Sequence, residues 1–365
     1  MGVAGVIGVL GAGGARAVDL PADTAEAMYH VYDGGGTIAQ GPAFLVRKSL
    51  ADRVSLTGEY FVDMVSNASI DVVTTASPYH EVRNEGAVGA DYVTRDTLIS
   101  AHLDTSHEPD YVANTGSLDL TQDTFGGMTT VTLGFTLGSD KVGEKGVGFF
   151  DTARHWQYRA GVSQLLTSRW VASAALEAID DSGYLGSPYR VARVFGAAVP
   201  ERDPRTRESK ALKFNVVGDI TPTAQDGAAE PARQAMHVSY RYFWDTWGIR
   251  ASTLEGGYAR YFGPRWQADF SLRYYQQTHA LFYSENAPCE ALYISRNRQL
   301  STFHDIGLSA KATYTLKDVP GHYDVKLNGA FEYIDFHYQD FTDIRTGSPY
   351  SFAAKILELF VTSSF

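Results

Sequence analysis

Between Trp266 and Tyr275 the chain alternates without a break. Trp266, Ala268, Phe270, Leu272 and Tyr274 fall on one side; Gln267, Asp269, Ser271, Arg273 and Tyr275 fall on the other. A period of two marks an extended strand, because successive side chains point to opposite faces. The apolar row also ends in an aromatic residue at both limits. A strand that crosses a bilayer needs roughly 9 to 11 residues, an outward apolar row, and aromatic rings where that row meets the head groups. This stretch meets all three conditions and points to a sheet with one face in an apolar medium.

The pattern recurs along the chain. Leu56, Tyr60 and Val62 alternate with Thr57, Phe61 and Asp63; Leu133, Phe135 and Leu137 with Gly134 and Thr136; Ile306, Leu308, Ala310 and Tyr314 with Asp305, Ser309, Lys311 and Thr313. A soluble sandwich alternates too, but its strands run to about 5 or 6 residues. Here many segments reach membrane-spanning length and end in Tyr or Trp. The expected fold is all-β: a transmembrane antiparallel up-and-down β-barrel of about 16 strands, within 14 to 18. It forms one domain over residues 18–365.

Composition agrees. Gly (35), Tyr (22) and Phe (19) are abundant in 365 residues, and these residues suit tight turns and pleated surfaces. The formal charge of −11 argues against nucleic acid as a partner. A mean hydropathy of −0.19 does not argue against a barrel, whose lumen and loops are polar. Cys289 is the one cysteine, so no intrachain disulfide forms, and it is expected in a loop. Residues 1–17 are small and apolar and end in Ala15-Arg16-Ala17, which has the form of a signal-peptidase site. They are expected to be an export leader.

Short turns at Leu50–Arg53, Thr167–Arg169 and Phe262–Arg265 suit a periplasmic edge. Longer polar stretches at 66–79, 138–151, 180–207, 221–232, 284–298 and 339–350 are expected as extracellular loops. The last strand places Leu357, Leu359, Val361 and Phe365 on one face. A final strand ending in Phe resembles the signal recognised by the bacterial outer-membrane barrel assembly machinery.

Several motifs together carry a wider resemblance: the run Asp63 to Ser69, Glu81-Val82-Arg83, Glu108-Pro109-Asp110-Tyr111, Tyr240 to Ile249, and Arg273-Tyr274-Tyr275-Gln276-Gln277. In these the chain resembles a family of proteobacterial outer-membrane barrels defined as a domain of unknown function. Members look like genomic neighbours of small lipoproteins, thioredoxin-like proteins and a flavin transferase. The resemblance therefore implies outer-membrane lipid as surroundings and a periplasmic lipoprotein or redox protein as a partner, in envelope redox or assembly.

If the Trp266 row faces lipid, the opposite row lines a lumen. The candidate lumen cluster is Asp63, Glu81, Arg83, Arg241, Asp245, Asp269, Arg273, Tyr275 and Gln277, with Glu59, His237, Ser239 and His279 nearby in the pattern. Charges of both signs brace a lumen by pairing across strands or set the selectivity of a pore. The bracing reading is the plainer one. His237-Val238-Ser239 has the His-x-Ser spacing of outer-membrane phospholipases but shares a face with Arg241, so no catalytic residue is expected. Asp180 and Asp181 are adjacent and make a poor acid pair. His102, Asp104 and His107, followed by Glu108 and Asp110, are weak metal candidates at a strand-to-loop junction; no metal and no cofactor is expected. A pore or scaffold for a small solute or partner protein is preferred, ahead of a membrane-embedded hydrolase and a sheath for a periplasmic electron carrier.

Overall fold

The computed structural model describes residues 18–67, 69–70, 79–144, 146–223 and 231–365; the expected leader at 1–17 lies outside them. The strands are β1 (Thr24–Gly34), β2 (Thr37–Ala51), β3 (Val54–Asn67), β4 (Tyr79–Thr94), β5 (Thr97–His107), β6 (Tyr111–Thr124), β7 (Thr129–Glu144), β8 (Phe149–Thr167) and β9 (Trp170–Gly183). After a small hairpin, β10 (Val191–Val194) and β11 (Ala197–Pro200), come β12 (Thr206–Asp219), β13 (Gln234–Asp245), β14 (Arg250–Phe262), β15 (Trp266–Gln277), β16 (Phe303–Val319), β17 (Tyr323–Asp343) and β18 (Ser348–Ser364).

Sixteen of these form a closed antiparallel barrel, in which each strand pairs with its sequence neighbours, β12 pairs with β9, and β1 pairs with β18. Closure leaves no backbone edge facing the bilayer, where an unpaired N–H or C=O costs several kcal/mol. Register sets the side-chain faces. Leu272 stands opposite Leu308, and Leu308 opposite Tyr333, so the outward rows align round the wall. On β15, Trp266, Phe270, Leu272 and Tyr274 are 41–55% exposed, as are Leu308, Leu359, Phe44 and Tyr60 on other strands. A continuous apolar exterior of this kind is stable in lipid and not in water. The molecule is a transmembrane barrel of the bacterial outer membrane. No helix among the described residues is long and apolar enough to cross a bilayer.

Two expected loops are largely strand. β7 runs to Glu144 and β8 starts at Phe149, while β17 runs to Asp343 and β18 starts at Ser348. These strands project past the apolar band. There apolar side chains no longer keep to one outward row, as Tyr338, Phe341 and Tyr350 form a buried cluster, so the alternation loses contrast while the backbone ladder continues. The stretch 180–207 likewise begins and ends in strand, since β9 reaches Gly183 and β12 starts at Thr206. The stretch 221–232 is misplaced: Gly218 pairs with Trp170 beside the short Thr167–Trp170 turn, so this connection leaves the end of the barrel that holds the short turns. Its length gave the wrong side. Most of 66–79 lies outside the described residues.

Candidate functional site: a capped lumen

The nine candidate lumen residues are all on the inward register but do not form one cluster. β4 lies eight strands from β14 whichever way the wall is followed. Asp63, Glu81 and Arg83 are therefore on one wall, and Arg241, Asp245, Asp269, Arg273, Tyr275 and Gln277 on the opposite one. On the first wall Asp63 accepts from His30 Nε2 at 2.6 Å and from Arg83 at 3.0 Å. On the second, Arg241 reaches Glu177 at 3.1 Å and Arg273 reaches Asp305 at 3.0 Å, and Asp269 accepts from Gln267 at 3.0 Å.

Similar pairs continue round the lumen. Arg159 donates to Asp119 at 2.8 Å, and His155 sits between Asp140 (2.8 Å) and Asp181 (2.7 Å). The Arg159–Asp119 pair spans β7, between β8 and β6. It does so because β7 offers Gly134, where a Cβ would come within 2.3 Å of Asp119 Oδ1 and 2.8 Å of Arg159 Nε. Gly257 plays the same part for His237, whose imidazole Nε2 meets Glu255 Oε1 at 3.1 Å. His237 and Ser239 share the lumen-facing register with Arg241.

The weak metal candidates separate as well. His102 and Asp104 face the lumen, whereas His107 opposes Asn84 on the outward register. A different set comes together: ligand oxygens of Glu81, Glu108 and Asp110 lie within 4.8 Å of one another. Tyr189 donates to Asp110. Burial, with the charges of Asp110 and Asp63 added and that of Arg83 opposed, raises the Glu108 carboxyl above its usual range.

Two long loops, residues 184–205 and 278–302, pack over inward-facing wall residues at one mouth of the barrel. They knit to each other: the backbone pairs Arg202 with Ile294, and Phe195 N donates to Ala287 O at 3.1 Å. A buried cluster of Ala192, Val194, Ala287 and Ile294 seals the contact. They also lock to the wall. Gln277 Nε2 donates to the carbonyls of Gln299 and Ser301 at 2.9 and 2.8 Å, and Leu281 N donates to Trp247 O at 2.8 Å. Arg296, 6% exposed, lies 4.4 Å from the ring centre of Phe341 and donates to Thr342 O at 2.9 Å.

Between this cap and the β12–β15 wall lies a cavity of about 460 Å³. Arg241, Tyr275 and Gln277, three of the sequence candidates, line it together with Arg190, Asp203, Arg207 and Gln299, which the pattern did not single out. Arg207 donates to the fully buried Asp245 carboxylate at 2.6 Å and stacks 4.6 Å over Trp247. Arg207 is recognisable in hindsight as the inward partner of Asp181 in register, but it falls in a stretch whose polarity reads as loop. Burial, reinforced by the charge of Glu201 and opposed by Arg190 and Arg207, pushes the Asp203 carboxyl up to about 7.

Residues 150–335 match the family described as "Protein of unknown function (DUF3570)". The chain belongs to the DUF3570 family. The matched region runs from β8 into β17, so it contains both cap loops and every residue that lines the cavity. No curated protein matches this DUF3570 member in sequence. Among solved structures it is similar to a bacterial polysaccharide outer membrane secretin at 9% identity and TM-score 0.54, covering 93% of this chain and 98% of that one. It is more distantly similar to OpdK of Pseudomonas aeruginosa (10% identity, TM-score 0.43, 94% and 100% covered) and to OmpT of Vibrio cholerae (9%, 0.45, 94% and 97%). The first of these likenesses supports the outer-membrane barrel fold.

Proposed function

We propose that this protein is a non-enzymatic pore that passes a small solute through a lumen constricted by the cap, after residues 1–17 have served as the export leader. The observation that carries this reading is the cap itself. Its two loops pair with each other, and the 278–302 loop is bonded to one side of the mouth through Gln277 on β15 and Thr342 on β17. A barrel of about this strand number otherwise leaves a wide aqueous channel. An ordered constriction fits a solute that is selected by size and charge. It fits less well a partner protein threaded through the lumen, which favours the pore over a scaffold or an electron-carrier sheath. The hydrolase reading has less support, because His237 and Ser239 share the lumen-facing register with Arg241 and do not face lipid. The barrel assembly machinery remains the partner that the final strand supports.

Purified protein in planar bilayers tests the pore. We expect discrete conductance steps in KCl that rise when residues 184–205 are replaced by a short turn. Membranes that stay silent with both proteins, although each shows heat-modifiable migration on a gel, would refute it.

A further inference from the structure

The cavity under the cap has an unusual charge balance. Three guanidinium groups line it, and two are neutralised by wall carboxylates: Arg207 by Asp245 at 2.6 Å and Arg241 by Glu177 at 3.1 Å. Arg190 has no carboxylate within ion-pair distance among the described residues. Beside it, Asp203 Oδ1 is buried and lacks a hydrogen-bond partner among the described residues. Other polar groups are already committed: Tyr275 donates its hydroxyl to Gln277 Oε1, and Gln277 spends its amide on the loop carbonyls. The cavity therefore keeps one uncompensated positive fork and one unsatisfied carboxyl oxygen. Leu185, Ile249 and Leu300 supply apolar wall beside them.

We infer that this cavity is a binding subsite for a small organic monocarboxylate, whose charge is held by Arg190 and whose apolar body packs against Leu185, Ile249 and Leu300. A planar guanidinium meets a carboxylate with two parallel hydrogen bonds. A protonated Asp203 donates a further one to the same anion. The stoichiometry selects against a dianion such as phosphate: one free cation balances one negative charge, and a second would stay uncompensated in a partly dehydrated space. At about 460 Å³ the cavity is of the size that encloses a small ligand. This inference rests on the pore reading for its purpose, since a solute held here stands in the path through the lumen.

The test is isothermal titration of the purified full-length protein in detergent micelles with benzoate, and with inorganic phosphate at matched ionic strength. Wild type is expected to bind benzoate at least tenfold more tightly than phosphate. Arg190→Gln is expected to weaken benzoate binding at least tenfold, and Arg190→Lys, which keeps the charge and loses the fork, by less. Heat-modifiable migration checks that each variant is folded. No benzoate binding, equal binding by all three proteins, or tighter binding of phosphate would each overturn the assignment. The bilayer measurement is separate. A protein that binds benzoate and does not conduct refutes the pore and keeps the site, whereas one that conducts and does not bind benzoate refutes the site and keeps the pore.

Discussion

Asp245 ties two structures together with one carboxylate. Oδ2 accepts from the Arg207 guanidinium, and Oδ1 accepts from the backbone of Ile249 at 2.8 Å in the turn between β13 and β14. Its side chain is fully buried, so removing it leaves the three-quarters-buried Arg207 without its carboxylate. Asp245→Ala is expected to cost roughly 3 kcal/mol, read as a lower urea midpoint for loss of the folded gel band. Asp269→Asn, at a carboxylate bonded to Gln267, is expected to stay within about 0.5 kcal/mol. Equal midpoints for the two variants would contradict the difference in burial. Gly134 makes a complementary case. A Val there drives its side chain into the Arg159–Asp119 pair, and the variant is expected to lose its folded band at a lower temperature than Gly146→Val, where a Cβ meets nothing within 4 Å and only the positive φ of +84° opposes the change.

The cap is an element whose stability depends on pH. Asp203 titrates near 7 in the fold, against an ordinary value of 3.8, so folding favours its protonated form. The stability this adds is whole below pH 3.8 and is lost as pH rises through about 7. Hydrogen exchange at residues 184–205 is therefore expected to quicken between about pH 6 and pH 8 beyond the intrinsic base-catalysed rate, and Asp203→Asn is expected to abolish that excess. An unchanged pH profile in the variant would remove Asp203 as the cause. The cap also marks where sequence reading stopped. Alternation at Trp266–Tyr275 reveals the strand, its lipid face and the inward position of Arg273, because all three follow from a period of two. It cannot say that Asp63 and Arg241 are on opposite walls, because that depends on counting every strand between them. Nor does the stretch 184–205, interrupted by Pro188, Pro200 and Pro204 and carrying four arginines, announce a folded hairpin. The Val191–Val194 strand is four residues long and is held by Ala287 and Ile294 from a loop about ninety residues away.

At the scale of the whole molecule, the outward rows and the inward charge pairs answer to different solvents. Phe270, Leu272 and Leu308 are placed for hydrocarbon, while Arg159, Arg241 and Arg273 lie along the inner wall, each neutralised by a carboxylate. Arg190 in the cap lacks such a partner among the described residues, so selectivity is expected to be set there more than at these paired arginines. Reversal potentials across a KCl gradient should accordingly move towards cation preference in Arg190→Gln and stay near wild type in Arg159→Gln. The opposite ranking would locate the filter in the barrel wall.

The seam between the first and last strands carries a further implication. Residues 24–34 pair with residues 354–364, Phe365 N donates to Asp23 O at 3.0 Å, and Lys48 sits 4.7 Å over the Phe365 ring while paired with Asp23 at 2.5 Å. The ladder that finishes the ring joins the most distant parts of the chain. A chain without residues 348–364 would therefore leave β1 and β17 as two open strand edges, and in hydrocarbon neither edge finds a substitute partner. Closure thus makes the integrity of the whole ring depend on one strand: its loss is expected to expose both edges together.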